Sequence, residues 1–103
     1  MPAAVAGRSG SRYMSMFYAY VLRSMTNPTE CYRGSTHDHR RRLAEHNAGK
    51  CRHTSKFRPW RLIFYAAFET AEFARGFEAY LKTESGHAVE KRHLGIGPEL
   101  PSG

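Results

Sequence analysis

Three consecutive arginines stand at the predicted beginning of a helix, which is an unusual place for them. Asp38 is a favourable N-cap residue, and the helix that follows it would carry Arg40, Arg41 and Arg42 in its first turn. Because the helix dipole already places positive partial charge there, each cation costs about 0.3–1 kcal/mol. Two explanations are open. The arginines bind phosphate, which suits guanidinium groups and helix N-termini, or they form a solvated basic face that raises solubility.

The same predicted helix places a histidine and an amide beside the last of these arginines. Arg42 and His46 are four residues apart and therefore share a helix face, and Asn47 follows Leu43 at the same interval in the adjacent row. One helix edge thus offers a fixed cation, an imidazole and an amide, groups that suit phosphate binding and proton exchange. An ordinary surface histidine is the alternative interpretation of His46.

Positive charge continues beyond this helix and dominates the chain. Lys+Arg number 16 against 9 Asp+Glu, for a formal net charge of +7. A domain this basic usually binds a polyanion, with nucleic acid as the first candidate and an anionic membrane as the second. Phe57 and Trp60 are interleaved with the cations, which suits a nucleic-acid surface, but Trp60 is better explained as a core anchor. The basic segment comprises Arg40, Arg41, Arg42, Lys50, Arg52, Lys56, Arg58 and Arg61, with Glu45 as its single acid.

One carboxylate and two thiols are the remaining candidates for chemistry. Glu78 lies at the edge of the apolar stripe of a predicted helix, where it is either an ordinary ion-paired glutamate or a ligand for a hard cation. Cys31 and Cys51, with His53, do not have the spacing of a zinc finger, so we expect two free thiols and no zinc site.

The elements that must position these residues form a short series. Strands are predicted at Met16–Arg23, Cys31–Ser35 and Trp60–Phe68, because each is rich in aromatic or β-branched residues and bounded by turn residues. Helices are predicted from Asp38 to about Asn47 and, capped by Thr70, from Ala71 to about Thr83. The second helix places Phe73, Phe77, Tyr80 and Leu81 on one face, Ser85-Gly86 breaks it, and a last helical turn or two runs to Leu94.

This order, β-β-α-β-α-α, predicts a small α/β (α+β) fold with a central three-stranded antiparallel sheet flanked by helices. The 103 residues allow one small domain, and the hydrophobic content of 41% is that of a globular protein. No segment has the roughly 20 apolar residues that a membrane span needs, and the N-terminus lacks the apolar middle of a signal peptide. We therefore expect a cytoplasmic protein with flexible tails at 1–14 and 95–103 and a folded domain at 15–94.

A set of short motifs occurs in a characteristic order along the folded part. Tyr18-Ala19-Tyr20 is followed by Tyr32-Arg33-Gly34, then by Ser35-Thr36, Asp38, Arg42-Leu43, His46-Asn47, Pro59-Trp60, Glu78, Leu81-Lys82 and Ser85-Gly86-His87-Ala88. This set resembles the GIY-YIG nuclease superfamily, and it is most similar to the small standalone bacterial branch. The resemblance covers about residues 16–94, and the ordered set is far more specific than any one of its motifs.

The resemblance implies a role for each matching residue. Tyr20 and Tyr32 take the places of the two catalytic tyrosines, either of which is the candidate general base, and Gly34 is the structural glycine of the second motif. Arg42 takes the place of the catalytic arginine, and His46 follows one helix turn later. Glu78 takes the place of the glutamate that binds one divalent metal ion, Mg²⁺ or Mn²⁺.

Five positions depart from the family pattern, and two of them, Tyr18 and Ala19, stand in place of the glycine and isoleucine of the first motif. Arg33 replaces the isoleucine of the second motif, where it either faces solvent or adds a phosphate contact. Ser35 stands where the repair nucleases often have lysine, and Glu90 stands where some members have asparagine.

The function implied is that of a metal-dependent endonuclease on nucleic acid, DNA rather than RNA, in repair, recombination or related processing. A targeting protein partner is conceivable, and a membrane partner is not expected. The alternative is a catalytically inactive nucleic-acid-binding module of the same fold. The predicted nucleic-acid contacts are Arg33, Arg40, Arg41, Asn47, Lys50, Arg52, Thr54, Lys56 and Arg58.

Overall fold

The computed structural model describes residues 16–97, which form a three-stranded antiparallel sheet with helices on both faces. The strands are β1 (Phe17–Ser24), β2 (Cys31–Thr36) and β3 (Trp60–Phe68), and the helices are α1 (His39–Asn47), α2 (Ala71–Leu81) and α3 (Glu84–Val89). A 3₁₀ turn spans Ser55–Phe57, and a π-helical turn spans Glu90–Leu94. The predicted fold class and the element order are confirmed. No helix within residues 16–97 is long and apolar enough to cross a membrane.

β1 is the central strand, with β2 on one side and β3 on the other. Its first six residues read FYAYVL, and those from Ala19 onward are buried on both faces of the sheet. Tyr20 is paired with Gly34 of β2 and with Tyr65 of β3. The pairing with β3 then skips Ile63, where a bulge shifts the register between Val21 and Leu22.

The two faces of the sheet carry separate hydrophobic clusters, since neighbouring residues of a strand point to opposite faces. On one face, which we call the site face, Tyr20 and Leu22 pack with Trp60 and with Leu43 of α1. On the opposite face, Val21 packs with Leu81 of α2 and with Ile96. Trp60 is thus a core anchor, as the sequence predicts.

Both predicted N-caps of the long helices are present. The Asp38 carboxylate accepts a hydrogen bond from the backbone N–H of Arg41 at 3.0 Å, and the Thr70 hydroxyl accepts one from Phe73 at 3.1 Å. Gly49, at φ 80°, follows the end of α1 in the left-handed conformation that favours glycine.

The C-terminal part differs from the prediction in its helix boundaries. α2 ends at Leu81 and α3 begins at Glu84, because the Thr83 hydroxyl caps α3 by accepting from the N–H of Gly86 at 3.0 Å. Ser85-Gly86 therefore lies inside a helix and is not the break. Glycine is needed there because a Cβ on Gly86 would lie 2.7 Å from the Leu81 Cα.

Two apolar residues also lie outside their predicted surroundings. Phe73 is 67% exposed, because the buried residues of α2 are Ala74 and Leu81 and Phe73 lies to one side of that stripe. Ile96 falls in the predicted C-terminal tail but is buried against Val21 and Leu81, so the folded part continues past Leu94. The predicted tail at 1–14 and residues 98–103 lie outside the described residues.

Candidate active site

Tyr20 occupies the middle of the site face and is 2% exposed. The antiparallel register sets Gly34 of β2 directly opposite it. A Cβ on Gly34 would lie 2.5 Å from Tyr20 Oη and 2.7 Å from Cζ, far inside any normal contact. The glycine is therefore required by the tyrosine, because its missing side chain is the space that the phenol ring fills.

His46 of α1 connects Tyr20 to the loop after the helix. The imidazole is fully buried, with Nε2 at 3.2 Å from Tyr20 Oη and Nδ1 at 2.8 Å from Thr54 Oγ1. The Thr54 hydroxyl donates to the Cys51 carbonyl at 3.3 Å, so its oxygen is the acceptor for an Nδ1–H. Nε2 is then the unprotonated nitrogen, and Tyr20 Oη donates to it.

The electrostatic surroundings keep this pair neutral. Burial raises the pKa of Tyr20 to about 12, although hydrogen bonding to Arg42 acts in the opposite direction. Burial also lowers the pKa of His46, and the charge of Arg42 lowers it further. At neutral pH the site therefore holds a protonated phenol and an uncharged imidazole.

The charges of Arg42 on α1 and Glu78 on α2 both act on Tyr20, and Arg42 lowers the pKa of the phenol. Arg42 donates through Nη1 to Glu45 Oε1 at 2.8 Å, while 36% of its side chain remains exposed. The negative charge of Glu78 on α2 contributes to the raised pKa of Tyr20. Fixed charges of both signs thus act on the hydroxyl of one buried tyrosine.

Tyr32 completes the predicted set. Its ring centroid lies 4.8 Å from that of His46 and 6.3 Å from that of Tyr20. Tyr20, Tyr32 and His46 therefore form one cluster on the site face, and the charges of Arg42 and Glu78 act on its central tyrosine.

The Glu78 carboxylate can serve as one ligand of a small divalent cation, but it does not belong to a closed metal site. Within residues 16–97, no three His, Cys, Asp or Glu side chains are grouped closely enough to hold a metal ion. Mg²⁺, however, commonly uses one or two carboxylates and completes its octahedron with water and substrate phosphate oxygens. Glu78 Oε2 accepts from Lys82 Nζ at 2.9 Å, and the remaining oxygen is the ligand that the donor set offers. The residues thus fit a single-carboxylate site for a hard cation, and they do not fit a closed protein cage.

Two of the predicted nucleic-acid contacts, Thr54 and Asn47, have hydrogen-bond partners inside the fold. Thr54 is buried, and its observed role is to orient His46. The Asn47 amide pairs with the backbone of Trp60, donating to its carbonyl at 3.0 Å and accepting from its N–H at 2.6 Å. Both residues therefore hold α1 and its loop to the start of β3, a function that their sequence spacing did not reveal.

Arg33 lies on the opposite face from the tyrosines, because it alternates with Tyr32 and Gly34 along β2. Its guanidinium donates to both carboxylate oxygens of Glu90, at 2.7 and 2.6 Å. Glu90 is 1% exposed, so this fork neutralises a buried charge. Two of the departures from the family pattern, Arg33 and Glu90, are thus partners of one another, which explains why they occur together in this chain.

The other predicted contacts remain on the surface. The side chains of Arg40, Arg41, Lys50, Arg52, Lys56 and Arg58 belong to exposed residues of α1 and the loop that follows. Arg41 lies 3.7 Å from Glu45, and Lys56 lies 5.3 Å from the centre of the Phe57 ring. Their contact with nucleic acid stays a prediction.

The sequence matches one protein family and several individual proteins. A family model described as the GIY-YIG catalytic domain matches residues 16–92. A structure-specific endonuclease subunit SLX1 homolog of Giardia intestinalis is 39% identical over 68% of this chain and 21% of its own length. A UPF0213 protein of Listeria welshimeri is 42% identical over 63% of this chain and 71% of its own length. The SLX1 subunit of Candida dubliniensis is 34% identical over 85% of this chain. The match spans only 32% of that Candida protein, so this chain corresponds to a minor part of the two SLX1 proteins.

Proposed function

This chain belongs to the GIY-YIG family, and from that premise we propose that it is a metal-dependent endonuclease that hydrolyses phosphodiester bonds, with DNA as its substrate. The observation that carries the proposal is the cluster of Tyr20, Tyr32 and His46, with Arg42 one helix turn before His46 on α1. A cation for the phosphate, a carboxylate for a metal ion and a proton-carrying phenol are the parts that phosphodiester hydrolysis requires. An inactive binding module would not need the three together.

Arg42 is the residue that binds the scissile phosphate. Its planar guanidinium can donate to two phosphate oxygens and stabilise the charge that grows on them during attack. In the unliganded protein Glu45 holds one edge of that group, and the exposed part of the side chain gives a phosphate access. Glu45 therefore fixes the direction of Arg42 before substrate arrives.

The proton path runs from Tyr20 to His46. The phenol donates to Nε2, so loss of the Tyr20 proton delivers it to an imidazole that Thr54 holds in the receptive tautomer. Since burial opposes the phenolate, the positive charge of Arg42 is what favours it, because that charge lowers the pKa of Tyr20. Tyr32, which packs on the same imidazole, is the second candidate for the base.

Glu78 would hold the metal ion. A bound Mg²⁺ or Mn²⁺ supplies Lewis-acid stabilisation of the leaving 3′ oxygen. The role of this chain is to supply one oxygen of the Glu78 carboxylate, while Lys82 restrains the other oxygen.

We also propose that the substrate is chosen by DNA structure rather than by base sequence, in repair or recombination. The names of the Giardia and Candida relatives describe structure-specific endonuclease subunits. A domain this small offers little surface for reading base edges in a groove, which agrees with that kind of selection. Because those names contain the word subunit, we propose a protein partner as well.

A cleavage assay tests the activity. Supercoiled plasmid, single strands, flaps, branched DNA and RNA are incubated with Mg²⁺, Mn²⁺ or EDTA. Arg42→Ala and Glu78→Ala should abolish cutting, and Glu78→Ala should retain DNA affinity. Glu72→Ala, an exposed glutamate of the same helix, is the matched control and should cut normally. Salt-sensitive binding without cutting of any substrate would instead establish the inactive binding module.

A further inference from the structure

Three aromatic rings form a cluster on the site face, outside the set of catalytic residues. His39, the first residue of α1, stacks on Tyr65 of β3 with centroids 4.5 Å apart and planes inclined by 17°. Tyr18 of β1 closes the group, with its centroid at 4.6 Å from His39 and at 5.6 Å from Tyr65. Tyr18 begins the first sequence motif, but none of the three residues has a part in the proposed reaction.

The register fixes this cluster beside the catalytic tyrosine. Tyr65 is the cross-strand partner of Tyr20, and directly opposed residues have Cβ atoms about 4.5–5.5 Å apart on the same face. Tyr18 precedes Tyr20 by two residues, which places it about 7 Å along the strand, also on that face. A nucleotide next to a phosphate bound by Arg42 would therefore lie near these rings.

The cluster is accessible and has the right electrostatic surroundings. Tyr65 is 38% exposed, and its ring packs against His39 and Tyr18. It therefore presents a fixed aromatic surface to solvent. Burial and the charge of Arg40 lower the pKa of His39, which keeps its ring uncharged at neutral pH. Arg40 and Arg41 follow on the exposed surface of α1 and supply charge for a sugar-phosphate chain.

We propose that Tyr65, held in place by His39 and Tyr18, stacks on an unpaired base adjacent to the scissile phosphate. Aromatic side chains bind bases through their π-faces, and stacking of this kind tolerates any base. Inside a duplex both faces of each base are already covered by its neighbours, so the surface selects flaps, forks and single strands over intact duplex. This inference rests on the proposed nuclease function and names its substrate class.

A binding experiment in EDTA separates stacking from catalysis. A flap oligonucleotide carries 2-aminopurine at the first unpaired nucleotide, and its fluorescence and the Kd are measured beside those of a fully paired duplex. Tyr65→Leu keeps an apolar side chain on the strand but removes the ring, and Tyr65→Phe restores the ring. Phe73→Ala removes an exposed aromatic from α2 as the control.

We expect Tyr65→Leu to weaken flap binding by roughly 5- to 150-fold, the range for loss of one base–aromatic stack, and to leave duplex binding unchanged. Tyr65→Phe and Phe73→Ala should bind as the wild type does, and the 2-aminopurine signal should respond to wild type and Tyr65→Phe alone among the Tyr65 variants. Equal losses on flap and duplex, or no loss on either, would overturn the stacking role.

The two proposals fail in different ways. If the wild-type protein cuts DNA and Tyr65→Leu changes neither flap affinity nor flap preference, the stacking inference is wrong and the nuclease stands. If flap binding depends on Tyr65 and no substrate is cut with any metal ion, the nuclease proposal is wrong and the stacking surface stands. A wild-type protein that binds no nucleic acid contradicts both.

Discussion

Replacement of Gly34 by alanine is the perturbation that tests the site geometry most directly. The new Cβ would meet Tyr20 Oη at 2.5 Å, Cζ at 2.7 Å and Cε2 at 3.1 Å. An ordinary contact needs about 3.5 Å, so the phenol ring must retreat by about 1 Å. The hydrogen bond from Tyr20 to His46 is already 3.2 Å long, so we expect a displacement of that size to break it.

The expected magnitudes follow from these contacts. Overpacking of a buried site costs about 1–3 kcal/mol, and the lost hydrogen bond costs about 1 kcal/mol more. Replacing a flexible glycine within a strand by alanine raises the free energy of unfolding by about 0.5–1 kcal/mol. The free energy of unfolding should therefore fall by about 1–3 kcal/mol. Activity should fall further, by about 100-fold, because a 1 Å misplacement of a catalytic group has that effect.

Urea unfolding and cleavage rates of two glycine variants provide the measurement. Gly76→Ala is the matched control, because no atom lies within 4 Å of its Cβ position and it sits within α2. That change should stabilise the protein by about 0.5–1 kcal/mol and leave cleavage intact. In a Tyr20→Phe background, Gly34→Ala should cost less than in wild type, since the closest atom is gone. A Gly34→Ala protein with wild-type stability and wild-type rate would refute the steric explanation of the glycine.

Three further predictions concern the residues behind the site. The folded-state pKa of His46 is lowered, so the unfolded chain binds more protons below its own histidine pKa of about 6.5. The stability that neutral His46 contributes is therefore present above about pH 6.5 and is lost as the pH falls through that value. Unfolding curves at pH 7.5 and 5.5 should differ less for His46→Gln than for wild type. Thr54→Val removes the partner of the His46 Nδ1–H, and we expect a loss of about 1–3 kcal/mol in urea with a slower cleavage step, whereas unchanged kinetics would contradict the orienting role. Arg33→Met leaves the Glu90 carboxylate buried without its ion pair and should lower the free energy of unfolding by about 3 kcal/mol. The double variant Arg33→Met/Glu90→Met should recover most of that stability in thermal unfolding. Additive losses in the double variant would rule out the coupling.

The fold could be predicted from the sequence because its signals are local. The strands follow from runs of aromatic and β-branched residues, and α1 and α2 begin at Asp38 and Thr70, which cap them as side-chain chemistry predicts. The end of α2 could not be predicted in the same way. Whether Gly86 ends a helix or lies within one depends on the close approach of the Leu81 backbone, a tertiary contact without a local pattern.

The site shows the same division between local and distant information. The shared helix face of Arg42 and His46 was visible in their spacing. The burial of His46 and its bond to Thr54 were not, since a histidine in a basic helix is more often exposed and the partner lies in an irregular loop. The pairing of Arg33 with Glu90 joins residues 57 positions apart, so neither residue reveals its partner by its neighbours.

Strict alternation along β2 limits how this chain can change in length. Tyr32 and Gly34 serve the site face, and Arg33 between them serves the opposite face. A one-residue insertion or deletion inside the strand would exchange the two roles at once, burying a tyrosine against α2 and turning a guanidinium toward the phenol of Tyr20. Length variation among natural or engineered versions should therefore concentrate in the exposed turn at 25–29, where added residues leave the alternation intact. Single substitutions at Arg33, by contrast, can adjust stability while the side chains that perform the reaction keep their places.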